Sequence, residues 1–192
     1  MMRQFAFLLL FLWASVMHAQ PSPQTGIVDA NANRVSQDGQ SFFAVKASGF
    51  VHATPQEAWN VLTDYDRLGE FVPDLLSSRL VTRNAHEAVV EQRSEVRFLF
   101  VKHTIDLTVR ITEQPFSTID VALMGGDMQR YSGQWQLAPE TRDGVQGTLI
   151  SYAGTMEPNF FIPPLVGESI ARANVRKMVT AVVQEIDRRS AH

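Results

Sequence analysis

The chain has 192 residues, 45% of them hydrophobic, with a formal net charge of −3 and no cysteine. That length suits one domain built on a single core. The lack of cysteine excludes disulfides, thiolate zinc sites, a cysteine nucleophile and a lipid-anchored cysteine. The acidic balance argues against nucleic acid as a partner, because neutralising phosphates needs a basic surface.

Residues 1–19 read as a secretory signal peptide. Arg3 supplies the positive start, residues 5–17 (FAFLLLFLWASVM) the apolar segment, and Ala19 the cleavage position, so that Gln20 begins the mature chain. As a helix that segment reaches roughly 20 Å, short of a ~30 Å hydrocarbon core, so a membrane-spanning helix is the poorer reading. Cleavage leaves 173 residues with 16 basic and 20 acidic side chains, a net of −4. An exported protein, periplasmic or secreted, is expected.

Residues 20–40 are rich in Pro, Gln, Asn, Ser and Gly and read as a flexible leader, with the domain proper over residues 41–190. Residues 42–51 (FFAVKASGFV) have the composition of a first strand. Thr54-Pro55-Gln56-Glu57 then starts a helix, with Thr as cap, Pro at the first helical position and Glu three residues after the cap. Ala58, Trp59, Val61 and Leu62 point to the core. A second short helical segment is expected over residues 64–71, closed by Pro73, with Asp64 capping its turn.

Beyond Leu75 the period changes to two. Ile105, Leu107, Val109 and Ile111 alternate with Asp106, Thr108, Arg110 and Thr112, the pattern of a half-buried antiparallel strand. Similar runs cover residues 77–82, 88–100, 118–124, 129–137 and 148–156, broken at Asn84-Ala85-His86, Gln114-Pro115, Gly125-Gly126-Asp127 and Arg142-Asp143-Gly144. Such short connections favour a meander. After Pro163-Pro164 the period returns to 3.6, with Val166, Ile170, Ala171, Val175, Met178, Val179, Val182 and Ile186 on one face of a helix of about 25 residues. The expected fold class is α+β: a curved antiparallel sheet of about seven strands, two short helices after the first, and a long C-terminal helix over the concave face. A cavity between helix and sheet would suit a ligand.

The segment Trp59-Asn60-Val61-Leu62-Thr63-Asp64-Tyr65-Asp66-Arg67-Leu68-Gly69-Glu70-Phe71-Val72, with Pro73 and Ser78-Arg79-Leu80-Val81, resembles the START-like (SRPBCC) helix-grip superfamily. The most similar branch is that of the polyketide cyclase/dehydrase and coenzyme Q-binding (Coq10-type) proteins. The likeness continues, in order, through Gly126 to Tyr131, Gly133 with Trp135, Gly147-Thr148 with Tyr152, and Glu157 to Pro164, and covers residues 42–189. It implies a helix-grip fold with an apolar cavity that holds a lipid, quinone or polyketide, and it implies no particular reaction.

The chemistry-bearing residues add little to favour catalysis. The mature histidines His52, His86, His103 and His192 have no metal-ligand spacing, and no nucleophile elbow, phosphate loop or dinucleotide fingerprint is present. No catalytic residue, metal ligand or cofactor is assigned. Alternation puts Asp106 and Arg110 towards solvent, while Arg97, between Val96 and Phe98, is harder to place.

Tyr65 and Phe71 could rim a cavity mouth or simply pin their segment to the sheet. Trp135 and Tyr152 could stack on an aromatic ligand or fill core volume. Phe160 and Phe161, before Pro163-Pro164, could gate ligand entry, touch a membrane surface, or form a buried staple at the helix entry. Cavity walls are expected from Leu107, Val109, Val121, Leu123, Trp135 and Tyr152, roofed by Val175, Met178 and Val182. The expected function is non-enzymatic binding or transfer of a hydrophobic small molecule in the cell envelope. A cyclase-like enzyme using Arg97 and Tyr152, or an interaction module with a filled core, is the alternative. Oligomeric state is not readable from the sequence.

Overall fold

In a computed structural model, residues 27–98, 101–162 and 164–191 are described. The expected signal peptide and the first residues of the expected leader lie outside them. The rest of that leader is not loose chain. Asp29–Gln37 forms strand β1, hydrogen-bonded along its length to β2, Gln40–Val51. Two features of the sequence drive this. Val28, Ala30 and Ala32 alternate with polar residues and are buried. Asp38 and Gly39 take φ values of 52° and 78°, the left-handed pair of a two-residue hairpin turn matched to strand twist. The polar composition masked a strand whose inward positions are small.

After β2 the chain enters α1, Pro55–Leu62. Its N-terminus is closed reciprocally: Glu57 N–H donates to Thr54 Oγ1 (3.3 Å), and Thr54 N–H donates to Glu57 Oε2 (2.7 Å). A 3-10 turn at Tyr65–Arg67 and the short helix α2, Leu68–Phe71, follow. Asp64 makes no cap bond there; its carboxylate instead accepts from Arg189 at 2.9 Å. Strands β3 (Leu75–Arg83), β4 (Glu87–Phe98), β5 (Val101–Gln114), β6 (Thr118–Gly126), β7 (Met128–Arg142) and β8 (Val145–Pro158) run as a meander.

The strand order is β1-β2-β8-β7-β6-β5-β4-β3, antiparallel throughout. Among the described residues the sheet therefore has eight strands, one more than expected, and the extra one is β1. The final helix α3, Pro164–Ser190, lies on the inward face and buries Ala171, Val175, Val179, Val182, Val183 and Ile186. It packs chiefly on β1 and β2, at one side of the sheet. Space is left on the other side, between α3 and strands β4 to β8. This is the helix-grip architecture.

Candidate functional site

That space is a cavity of about 220 Å³. Its floor comes from the inward rows of the sheet, where alternation sends every second side chain the same way: Val109 and Ile111 from β5, Ile119 and Val121 from β6, Trp135 from β7 and Tyr152 from β8. Val175, Met178 and Val182 of α3 form the roof, joined by Asn174. Tyr65, Leu68 and Val72 close one side, and Gln92, Ser94 and Val96 of β4 another. Pro73, Asp74 and Leu75 stand at its margin, where Lys177 of α3 binds Asp74 at 2.6 Å.

Eight of the residues expected at a cavity meet here: Tyr65, Val109, Val121, Trp135, Tyr152, Val175, Met178 and Val182. Five do not line it. Leu107 is buried in the packed core, and Leu123 packs against that core. Alternation fixes which face a side chain takes, not the depth at which helix and sheet part. Phe71 packs against the core with the Arg189 guanidinium 5.7 Å from its ring centre. Phe160 lies flat on His103, ring centres 4.3 Å apart and planes 3° from parallel, and Phe161 is 80% exposed. Arg97 is exposed and does not line the cavity, though its guanidinium stands 3.7 Å from Glu95, which does.

Tyr131, Gln92 and Ser94 were missed, although Tyr131 shares parity with the recognised Trp135; the other two share parity with Val90, which the structure shows fully buried. Tyr131 matters most. Trp135 pairs with Tyr152 across β7 and β8, their rings 4.8 Å apart and tilted by 53°. The Tyr152 phenol leans along the sheet over the next pair, Gly133 and Gly154. A Cβ at either glycine would come within 2.7 or 2.8 Å of the Tyr152 Oη. Only hydrogen-sized side chains leave room for the ring. Beyond the glycines it meets Tyr131, whose side chain lines the same cavity. Burial pushes both hydroxyls above their ordinary pKa, partly offset at Tyr131 by the neighbouring Tyr152 phenol and reinforced at Tyr152 by Tyr131. Both remain protonated near neutral pH and act as hydrogen-bond donors.

At the other end, Tyr65 donates to Glu113 Oε1 at 2.7 Å, and Arg83 donates to the same oxygen at 2.7 Å. Glu113 is 6% exposed and continues the inward row of β5. Burial, and then the Glu113 carboxylate, push the Tyr65 phenol far above its usual range. This trio anchors the turn at Tyr65–Arg67 to the sheet and holds the Tyr65 ring as a cavity wall.

The family of polyketide cyclase/dehydrase and lipid transport proteins matches residues 51–183. The chain belongs to that family. The match singles out no branch of it, the coenzyme Q-binding one included. No curated protein matches the chain in sequence. Among solved structures it is similar to a STAR-related lipid transfer protein from Xanthomonas axonopodis, with TM-score 0.65 and 15% identity over 84% of this chain and 98% of that one. It is also similar to the Zhui aromatase/cyclase of Streptomyces sp. R1128, with TM-score 0.60 and 19% identity over 77% and 94% of the two chains. At these identities the likeness establishes the helix-grip fold and leaves ligand and reaction to the residues themselves.

Proposed function

We propose that this member of the family binds or transfers a hydrophobic small molecule, without chemistry of its own, in the cell envelope. The observation that carries the reading is the unfilled, largely apolar cavity under α3. A ligand that buries about 200 Å² of apolar surface there gains roughly 5 kcal/mol from leaving water. An unfilled space also weighs against an interaction module with a solid core. The lipid transfer protein from Xanthomonas supports carriage as a role this fold performs, and the signal peptide expected over residues 1–19 supports the envelope as its place.

The cyclase alternative keeps one of its two groups, Tyr152, and the aromatase/cyclase from Streptomyces supports it as a role for this fold. Arg97, facing solvent, drops out. Native mass spectrometry of protein purified from its own envelope tests the carrier reading. A co-purifying lipid or quinone is expected, and the Met178→Trp variant, with the cavity filled, should come out empty. Wild-type protein that is always empty and binds no apolar probe would sink the proposal.

A further inference from the structure

The phenol pair defines what kind of hydrophobic molecule the cavity takes, an inference that rests on the binding role just proposed. A hydroxyl has one proton to donate and two lone pairs to accept with. When Tyr152 and Tyr131 share a bond, one proton is used and one remains. Tyr65 contributes no further proton, because its hydroxyl is committed to Glu113. Asp74 and Glu95 are the only charged side chains among the described residues that line the cavity, and both are acidic. Lys177 at 2.6 Å and Lys102 at 3.0 Å already pair with these acids, so a carboxylate or phosphate placed inside would lose its hydration and find no unpaired cation among the described lining residues. A pure hydrocarbon would leave the spare phenol proton without an acceptor, and unmade hydrogen bonds of buried groups are costly.

We infer that the cavity selects a neutral, oxygen-bearing apolar ligand whose carbonyl accepts a hydrogen bond from the Tyr131–Tyr152 pair, and that it rejects fatty acids and other anions. The apolar body of such a molecule would lie against Val109, Val121 and Met178, with its carbonyl at the glycine-seated end. Quinones, ketones and esters share this chemistry. The Gly133–Gly154 pair seats the Tyr152 phenol next to Tyr131, so the phenol pair is a fixed feature of the fold and not one formed by the ligand.

Three probes of matched shape separate the possibilities: acetylnaphthalene, with a ketone; ethylnaphthalene, without it; and naphthoate, an anion. Calorimetric titration of the wild-type protein should give the ketone about tenfold tighter binding than the hydrocarbon, the size of one net buried hydrogen bond, with naphthoate weakest. Tyr131→Phe combined with Tyr152→Phe, changes that keep both rings, should reduce the ketone's advantage to near unity while leaving the hydrocarbon's affinity in place; Tyr131→Phe alone still leaves one phenol proton and should keep the advantage. The infrared carbonyl stretch of bound acetylnaphthalene should be lowered in the wild type and revert in the double Phe variant. Equal affinities for ketone and hydrocarbon, or tightest binding of naphthoate, would overturn this inference while leaving the carrier role standing. Failure of all three probes to bind would overturn both.

Discussion

The Glu113 carboxylate shows how much one buried polar residue can hold together. Its Oε1 accepts from both Tyr65 and Arg83, joining the turn after α1 to β5 and β3. Tyr65→Phe removes one donor and should cost about 1 kcal/mol in denaturant unfolding, with the fold kept. Arg83→Met removes the countercharge of a carboxylate that is 6% exposed and should cost about 3 kcal/mol. Equal losses in the two variants would contradict this assignment. Glu113 went unread in the sequence, although it stands two positions past Ile111 on the same alternating row. Its partners could not be read there, since pairings 48 and 30 residues away depend on how the strands are ordered. The same holds for the phenols: parity puts Tyr131 and Tyr152 on one face, but only strand pairing brings them together across the glycines.

Among the elements, α3 is set by close contact at its centre and by charge at its end. A Cβ at Gly49 of β2 would stand 2.8 Å from Val183 Cγ2. Gly49→Ala should therefore destabilise the protein by about 2 kcal/mol, and Val183→Ala in the same chain should restore part of it, a coupling readable as a double-mutant cycle. At the C-terminal end, Glu185 accepts from Arg188 and Arg189, and Arg189 also binds Asp64. Hydrogen bonds from Arg188, then from Arg189, pull the Glu185 carboxyl from its ordinary 4.5 down to about 2, against partial desolvation. A carboxyl with a lower pKa folded than unfolded adds stability that is fully present above about 4.5 and is lost as pH falls towards 2. The stability gap between wild type and Glu185→Gln should be constant above that range and close within it, in unfolding curves taken at stepped pH. Helix period and apolar face made α3 legible from the sequence. Strand β1 was hidden because a polar, small-residue strand resembles a linker by composition, even though Asp38-Gly39 announced its turn.

For the molecule as a whole, sequence patterning sufficed for the α+β class, the meander and the long covering helix, because each follows from periodicity and turn residues. The cavity's reach did not, since it depends on where α3 departs from the sheet. The export reading belongs to this scale too: intact-mass measurement on the envelope fraction should show a chain lacking residues 1–19, and full-length protein confined to the cytoplasm would refute it. Strand β1 has one further consequence. Among the described residues it pairs with β2 alone and caps one border of the sheet. A chain begun at Ser41, as composition would suggest, would leave the β1-facing backbone N–H and C=O groups of β2 unpaired beside Phe42, Phe43 and Val45, the rest staying paired with β8. An open, apolar border of that kind templates strand addition from other copies. The trimmed chain should self-associate into aggregates in size-exclusion chromatography, where the chain begun at Gln20 elutes as a discrete species. The least conspicuous strand of the fold would then be its guard against amyloid-like stacking.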